Sequence, residues 1–506
     1  MRRYIKLKEK RRREDKHNIL INTISSLLSQ VISIVCGFVL PRLILSNFGS
    51  EVNGLVSSIT QFLGFISLMQ LGVGAVVQTA WYKPLAQKNM VEVSKIYISA
   101  ERFFRRIALI FVAYTIALAI VFPIKIGEFD YWFTATLVLA ISISLFIQYY
   151  YGLTNQMLLY ADGKAYLYLF CQTGTVLLNL ILCVILIQCS ASIHVVKLVS
   201  SLVFAITPII LHLYVFSRYK IDRRIVLHEE PIKQKWNGFA QHLSSVVMDN
   251  TDVVVLTLFS SLSNVSVYSV YHLVVFGVRQ IVTSMTVGIQ SAFGNLIATK
   301  DKSVKDKFIK TEVAFHCGVT VIFACVLVLI GPFVEVYTRD ITDADYIQPL
   351  FGYLISIAFA LYCYRLPYYA IIKAAGHYKE TQTSAIIEMI LNIGVSVVVV
   401  INYGLVGVAV GTLIATLYRS IYFVFYVQKK IIPKPIGTFL KLLLADCIVF
   451  CLAVMITGNF VMGAVNYWEW VLLAVKVFLT VLVCSAIVYV VTNMDLIKKK
   501  GHIDVS

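Results

Sequence analysis

At 506 residues, 59% hydrophobic and only 14% charged, with a mean hydropathy of +0.80, the chain carries more apolar surface than a water-soluble protein of this length can bury. The net charge of +17 would suit nucleic acid, but the cations sit in short stretches between apolar runs, which excludes that partner and points to anionic lipid instead.

The first sixteen residues, "MRRYIKLKEKRRREDK", hold nine lysines and arginines. Residues 1–17 are read as a basic cytoplasmic arm that orients the chain and touches membrane lipids. Runs of about 20 apolar residues, the length that crosses a bilayer as a helix, then recur fourteen times. They cover 18–45, 55–81, 103–124, 132–151, 166–187, 193–216 and 236–259. The second half adds 265–293, 315–337, 346–371, 381–401, 404–427, 436–456 and 468–491. The expected fold is an all-α integral membrane protein with about 14 transmembrane helices. The first run is too long for a signal-peptide core and no small-residue cleavage site follows it, so it is expected to be retained.

With the arm inside, only Arg42, Lys125, Lys197 and Arg339 fall on the outer side, and Arg279, Arg365, Arg419 and Lys476 fall within spans. The remaining cations lie on the arm's side, including "KKK" at 498–500. This bias predicts a multi-pass protein of the inner or plasma membrane with both termini cytoplasmic, and an even number of spans. The ten cysteines form no Cys-x-x-Cys pair and are read as small apolar residues, without disulfides or a metal site. There is no phosphate-binding nucleotide motif and no sizeable loop, so neither an enzyme nor a bound cofactor is expected.

Self-comparison at an offset of 212 to 214 residues reveals a repeat. "PLAQKNMVEVSK" (84–95) resembles "LIATKDKSVKDK" (296–307), and "YYYGL" (149–153) resembles "YCYRL" (362–366). Gly163 matches Gly376, Asn179 matches Asn392, and Pro123 corresponds to Pro332. The unit therefore holds six spans, 18–217 and 236–428, joined by a cytoplasmic linker at 218–235. Six is even, so the two lobes are parallel repeats, an arrangement that puts substrate between halves that alternate access. Residues 429–492 supply two extra C-terminal helices and 493–506 a cytoplasmic tail.

Charges inside spans are costly and usually belong to a pathway or to one another. Asp249 and Asp252, three apart in the seventh run, share one helix face. Arg279 comes to a similar depth in the eighth, so Asp249 and Arg279 form either a structural pair or part of a substrate site. Asp252 is the candidate for a coupling proton or Na+. Arg365 faces Gly152 in the repeat comparison and is either a substrate ligand or an interfacial arginine beside Pro367. Glu388 and Arg419 are read mainly as a structural ion pair. Tyr149–Tyr151 and Tyr362, Tyr364, Tyr368 and Tyr369 either stack on sugars or form an aromatic belt. Asp446 and Lys476 are assigned to packing or to a groove for a lipid tail.

Three stretches carry a family resemblance. "PRLILSNFGSEVNGLVSSITQFLGFISLMQLGVGAVVQTAWYKPLAQKN" (41–89) resembles the first helix pair of polysaccharide-type flippases (Wzx-like) of the multidrug/oligosaccharidyl-lipid/polysaccharide (MOP) superfamily. "DNTDVVVLTLFSSLSNVSVYSVYHLV" (249–274) resembles the start of that family's second half, and "AAGHYKETQTSAIIEMILNIGVSVVVVINYGLVGVAVGT" (374–412) its eleventh and twelfth helices. The resemblance implies two six-helix lobes in a V shape. It also implies a flippase that carries a polyprenyl-pyrophosphate-linked oligosaccharide to the outer leaflet for surface polysaccharide assembly, with other assembly proteins as partners. Arg42, about one turn from the outer end of the first run, either snorkels to the interface or acts in the cavity, its place resembling that of a cavity arginine in lipid-linked peptidoglycan-precursor flippases. His272 stands where those relatives have a basic residue, which departs from their pattern. The rival readings are a cation-coupled multidrug exporter of the same superfamily and a membrane glycosyltransferase or polysaccharide polymerase.

Overall fold

The computed structural model describes residues 2–70, 73–225, 239–299, 301, 303–377, 379–458 and 466–492. Among the described residues each of the fourteen apolar runs lies mostly on helix, and there is no strand. Twelve segments are long and apolar enough to cross a membrane. The first of them, Ile24–Gln70, passes through a break at Gly49 (φ 83°, ψ 173°) that divides it into two legs. Helix Phe239–Phe259, with its two carboxylates, completes the fourteen.

The chain forms two compact units, Met1–Val246 and Val247–Ser506. The first holds α1 (Arg2–Gly64), a 3-10 turn (Phe65–Gln70), α2 (Val73–Ala86), α3 (Met90–Ile126), α4 (Tyr131–Ile147), a π turn (Gln148–Gly152), α5 (Leu153–Ala161), α6 (Ala165–Gln188) and α7 (Ile193–Arg218). Run two, expected as a single helix, is interrupted by the 3-10 turn, and run four ends inside the π turn. Local chemistry marks the ends. Asn89 caps α3 by accepting from the Glu92 amide at 3.1 Å, and Asp130 caps α4 by accepting from Trp132 at 2.9 Å.

The second unit holds the rest of α8 (Phe239–Phe259), then α9 (Leu262–Ala298), α10 (Val304–Tyr337), α11 (Pro349–Tyr364), α12 (Leu366–Ala374), α13 (Gln382–Tyr403), α14 (Leu405–Lys430), α15 (Ile436–Thr457) and α16 (Tyr467–Thr492). Here too one expected span, the tenth, is broken, between α11 and α12 at Arg365.

The sequence repeat has a backbone counterpart. The π turn of the first unit covers "QYYYG" and the break of the second falls at "YRL", the segments that match in sequence. Gly163 (φ 73°) and Gly376 (φ 76°) close equivalent turns. Gly163 donates to Tyr160 O and Lys164 to Leu159 O. Gly376 likewise donates to Lys373 O and His377 to Ile372 O, each partner 213 positions on. Positive φ suits glycine because it has no Cβ to strain.

The repeats differ on one face. Leu109, Val112 and Ile116 of α3 are 63%, 39% and 51% exposed. Their counterparts on α10, Val321, Ala324 and Val328, are 6%, 0% and 9% exposed because α15 and α16 pack over them through Leu442, Ala445, Val449, Val477 and Val481. An apolar face open to hydrocarbon carries no penalty in a membrane, so the first unit needs no such cover.

Candidate functional site

In the second unit α13 and α14 approach closely. A Cβ on Gly411 would lie 2.0 Å from Ser396 Oγ, and one on Gly407 2.5 Å from the Val399 backbone. Small residues four apart let two membrane helices approach this closely. The approach puts Asn392 of α13 against Thr412 of α14, with Asn392 Nδ2 donating to Thr412 Oγ1 at 3.0 Å. The Thr412 hydroxyl in turn donates to Asp252 of α8, 3.0 and 2.9 Å from its two carboxylate oxygens. Tyr268 of α9 donates to Asp252 Oδ2 at 2.9 Å. Asp252 is thus no free-standing carboxylate: it is 4% exposed and joins three helices. Asn392 Oδ1 is buried beside this cluster with no hydrogen-bond partner among the described residues.

One helical turn back, Asp249 accepts from Arg279 Nη1 at 2.8 Å, the carboxylate side chain 37% and the guanidinium 13% exposed. Three rings flank that guanidinium. Its Cζ lies 4.7 Å from the centroid of Phe276, 4.9 Å from Tyr362 and 5.4 Å from Phe359, a cation–π setting. His272 stacks on Tyr268 at 5.3 Å and meets Phe276 and Phe359 edge-on or tilted. Asp249, Asp252, Tyr268, His272, Arg279, Tyr362 and Thr412 line a small cavity of about 20 Å³, room for one water-sized occupant.

Tyr362 also covers Arg365, whose Cζ is 4.3 Å from its ring. Arg365 is not interfacial: it is 6% exposed and donates to Glu388. Arg419 donates to the other oxygen of the same carboxylate. The structure brings Glu388 and Arg419 together and adds Arg365, so one fully buried carboxylate serves two guanidiniums. Two of the tyrosines expected to meet sugars, Tyr364 and Tyr368, are buried against α10. Tyr369 stacks on Phe423. In the first unit Tyr149 is buried and accepts from Gln70 Nε2 at 2.6 Å. Arg42 belongs to that unit, half-buried on α1 beside Leu40 and Leu43, which pack on Cys183, Ile187 and Val196.

The expected residues Asp249, Asp252, His272 and Arg279 therefore converge, and Arg365 adjoins them through Tyr362. Sequence reading missed Tyr268, Asn392 and Thr412. Two signals pointed at them: the match of Asn392 with Asn179, and the glycine spacing opposite. No group of three or more His, Cys, Asp or Glu able to hold a metal occurs among the described residues, and all ten cysteines are free thiols.

No protein-family model matches the sequence, and no curated protein does. Solved structures do. An inward-facing multidrug resistance MATE family transporter of the MOP superfamily superposes with a TM-score of 0.61 at 13% identity, over 81% of this chain and 98% of that one. The MATE transporter VcmN of Vibrio cholerae in its bent form gives 0.55 at 15% identity, over 82% and 97%. The eukaryotic MATE transporter AtDTX14 gives 0.56 at 10% identity, over 82% and 95%. At these identities the likeness is one of fold: this chain has the all-helical membrane fold of MATE transporters of the MOP superfamily.

Proposed function

We propose that the protein is a cation-coupled, alternating-access flippase for a polyprenyl-pyrophosphate-linked oligosaccharide, moved from the cytoplasmic to the outer leaflet with both termini cytoplasmic. The observation that carries this reading is the charge of the second unit's polar core. Arg279, Arg365 and Arg419 stand against Asp249, Glu388 and Asp252. With Asp252 ionised these six groups cancel, and the half-buried Lys373, above the Tyr369 ring that stacks on Phe423 beside Arg419, adds a positive charge nearby. With a proton or Na+ on Asp252, three guanidiniums face two carboxylates, and the core favours an anion. Guanidiniums suit the pyrophosphate, which they bind through paired N–H donors, and Tyr362 offers an aromatic face.

The proposed cation seat is made of oxygens: both carboxylate oxygens of Asp252, Thr412 Oγ1 and Tyr268 Oη. Hard cations prefer such donors. The coupling is reciprocal, because whatever the cation does for the anion, the anion does for the cation. His272 is proposed to meet another part of the substrate, with membrane lipids around the prenyl tail.

The rival multidrug exporter draws on the fold shared with MATE transporters. It predicts the opposite linkage, since an organic cation competes with the coupling ion instead of being recruited by it. Flux assays in proteoliposomes with a fluorescent prenyl-pyrophosphate oligosaccharide, with ethidium, and with imposed proton or sodium gradients decide between them. Asp252→Asn is expected to bind the lipid-linked substrate yet lose gradient dependence. Unchanged gradient dependence in that variant removes Asp252 as the coupling site, and transport of ethidium alone removes the flippase reading.

A further inference from the structure

The break at Arg365 is held from two sides. On one, Arg365 reaches Glu388 of α13 beneath the ring of Tyr362. On the other, the residues bracketing it, Tyr364 and Tyr368, turn to α10. The Tyr364 hydroxyl lies 2.7 Å from Thr320 Oγ1 and its ring stacks on His316 at 4.6 Å. The Tyr368 hydroxyl donates to Glu312. Glu312, His316 and Thr320 are four apart along one stripe of α10 and fully buried.

The stripe's other partners come from the two extra helices and the residues leading into them. Lys434, at the entry to α15, donates to Glu312. Asp446 of α15 accepts from Thr320 at 2.6 Å, pairs with His316 Nδ1 at 2.8 Å and accepts from Tyr489 of α16. Further along, the same seam carries no charged contact among the described residues: Val321, Ala324 and Val328 pack against Ala445, Val449, Val477 and Val481, and Trp470 Nε1 donates to Leu329 O at 3.4 Å. Packing and that neutral contact explain that half. Charged groups, costly to bury in a membrane protein, are confined to the level of the break.

We propose that Asp446 and Lys434 are positioning residues for Arg365. The extra helices fix the two bracketing tyrosines, and through them the guanidinium that Glu388 and Tyr362 hold on the opposite face. The inference rests on the reading of Arg365 as part of an anion site.

The test uses the full chain in lipid nanodiscs, with two readouts. Hydrogen exchange of 361–374 needs no substrate. Asp446→Asn, and Tyr364→Phe, which leaves every charge in place, are expected to raise it about tenfold, the scale of one lost hydrogen bond to a charged network, with 382–403 unchanged. Affinity for farnesyl pyrophosphate is expected to fall about five- to tenfold in each, and no further when either is combined with Arg365→Gln. Unaltered exchange at the break in both variants, or losses that add to that of Arg365→Gln, overturn the inference. A wild-type protein that binds no farnesyl pyrophosphate overturns the anion reading instead, and the exchange data still decide whether the extra helices hold the break.

Discussion

Glu388 offers the sharpest test of the polar core. Its carboxylate is fully buried and the two arginines it serves are 6% and 7% exposed at the side chain. Glu388→Ala therefore strands two guanidiniums in a medium that solvates neither. Breaking a buried pair by removing one partner costs about 3–5 kcal/mol, and here the lost partner is shared, so the upper end is expected. For a unit of this size each kcal/mol is worth roughly 2–4 °C, which puts the melting shift near 10 °C or beyond. A thiol-reactive dye suits the measurement. Cys363, two residues from Arg365, and Cys183 are buried and report unfolding, whereas the exposed Cys189, Cys447 and Cys451 are first changed to Ser. Glu92→Ala is the control: its pair with Lys95 spans 3.4 Å with both side chains 40% exposed, a class of contact worth under about 1 kcal/mol. The triple change Glu388→Leu, Arg365→Leu and Arg419→Leu should melt near wild type, since apolar replacements of a whole buried network are tolerated, yet bind no pyrophosphate. A Glu388→Ala protein that melts within about 2 °C of wild type refutes the charge argument for this core.

Arg279→Lys should retain partial transport and Arg279→Ala should lose it at normal membrane abundance; if Asp249→Asn with Arg279→Gln instead restores abundance lost in the alanine variant, the pair is structural. Gly411→Ala should destabilise by about 1–3 kcal/mol through its clash with Ser396, read as a lowered melting temperature, while Gly174→Ala, with no neighbour within 4 Å, should be neutral or stabilising. Single cysteines at 228 and 503, both outside the described residues, should label from the cytoplasmic side and one at 343 from outside; external labelling at 228 contradicts the expected topology.

Helix placement was legible because it rests on local composition. A run of about 20 apolar residues needs no partner to be recognised, and among the described residues all fourteen lie mostly on helix. The breaks were half legible. "YYYGL" and "YCYRL" stood out as repeat matches, but nothing in a hydropathy profile distinguishes a continuous helix from α11 and α12 meeting at Arg365. The pairing of Asp249 with Arg279 could be expected because adjacent antiparallel spans bring equal depths together. Asp252 could not be completed this way. Its partner Thr412 is 160 positions away, and helical spacing fixes which residues share a face, not which distant helix covers it.

The two repeats together explain why the charges lie where they do. Both copies break their fourth helix at the same place, so the break is a property of the shared backbone and not of the charges around it. In the first unit it is a π turn whose tyrosines find neutral partners within that unit, Tyr149 in Gln70 and the Tyr151 carbonyl in Asn155 at 2.5 Å. In the second, an arginine replaces Gly152, and a guanidinium in that position demands a buried carboxylate. Glu388 supplies it on one face. The tyrosines on the other face meet Glu312 and Thr320, which in turn call for Lys434 and Asp446. One substitution between the repeats is thus matched by the two helices that have no counterpart in the first copy. A chain cut after α14 would leave Glu312 without Lys434 and His316 without Asp446, two uncompensated polar groups at the level of the break. Such a truncation should fail to accumulate in the membrane, whereas the same truncation carrying Glu312→Gln and His316→Leu should accumulate with an altered break. Stable accumulation of the plain truncation would show that the extra helices do not complete this network.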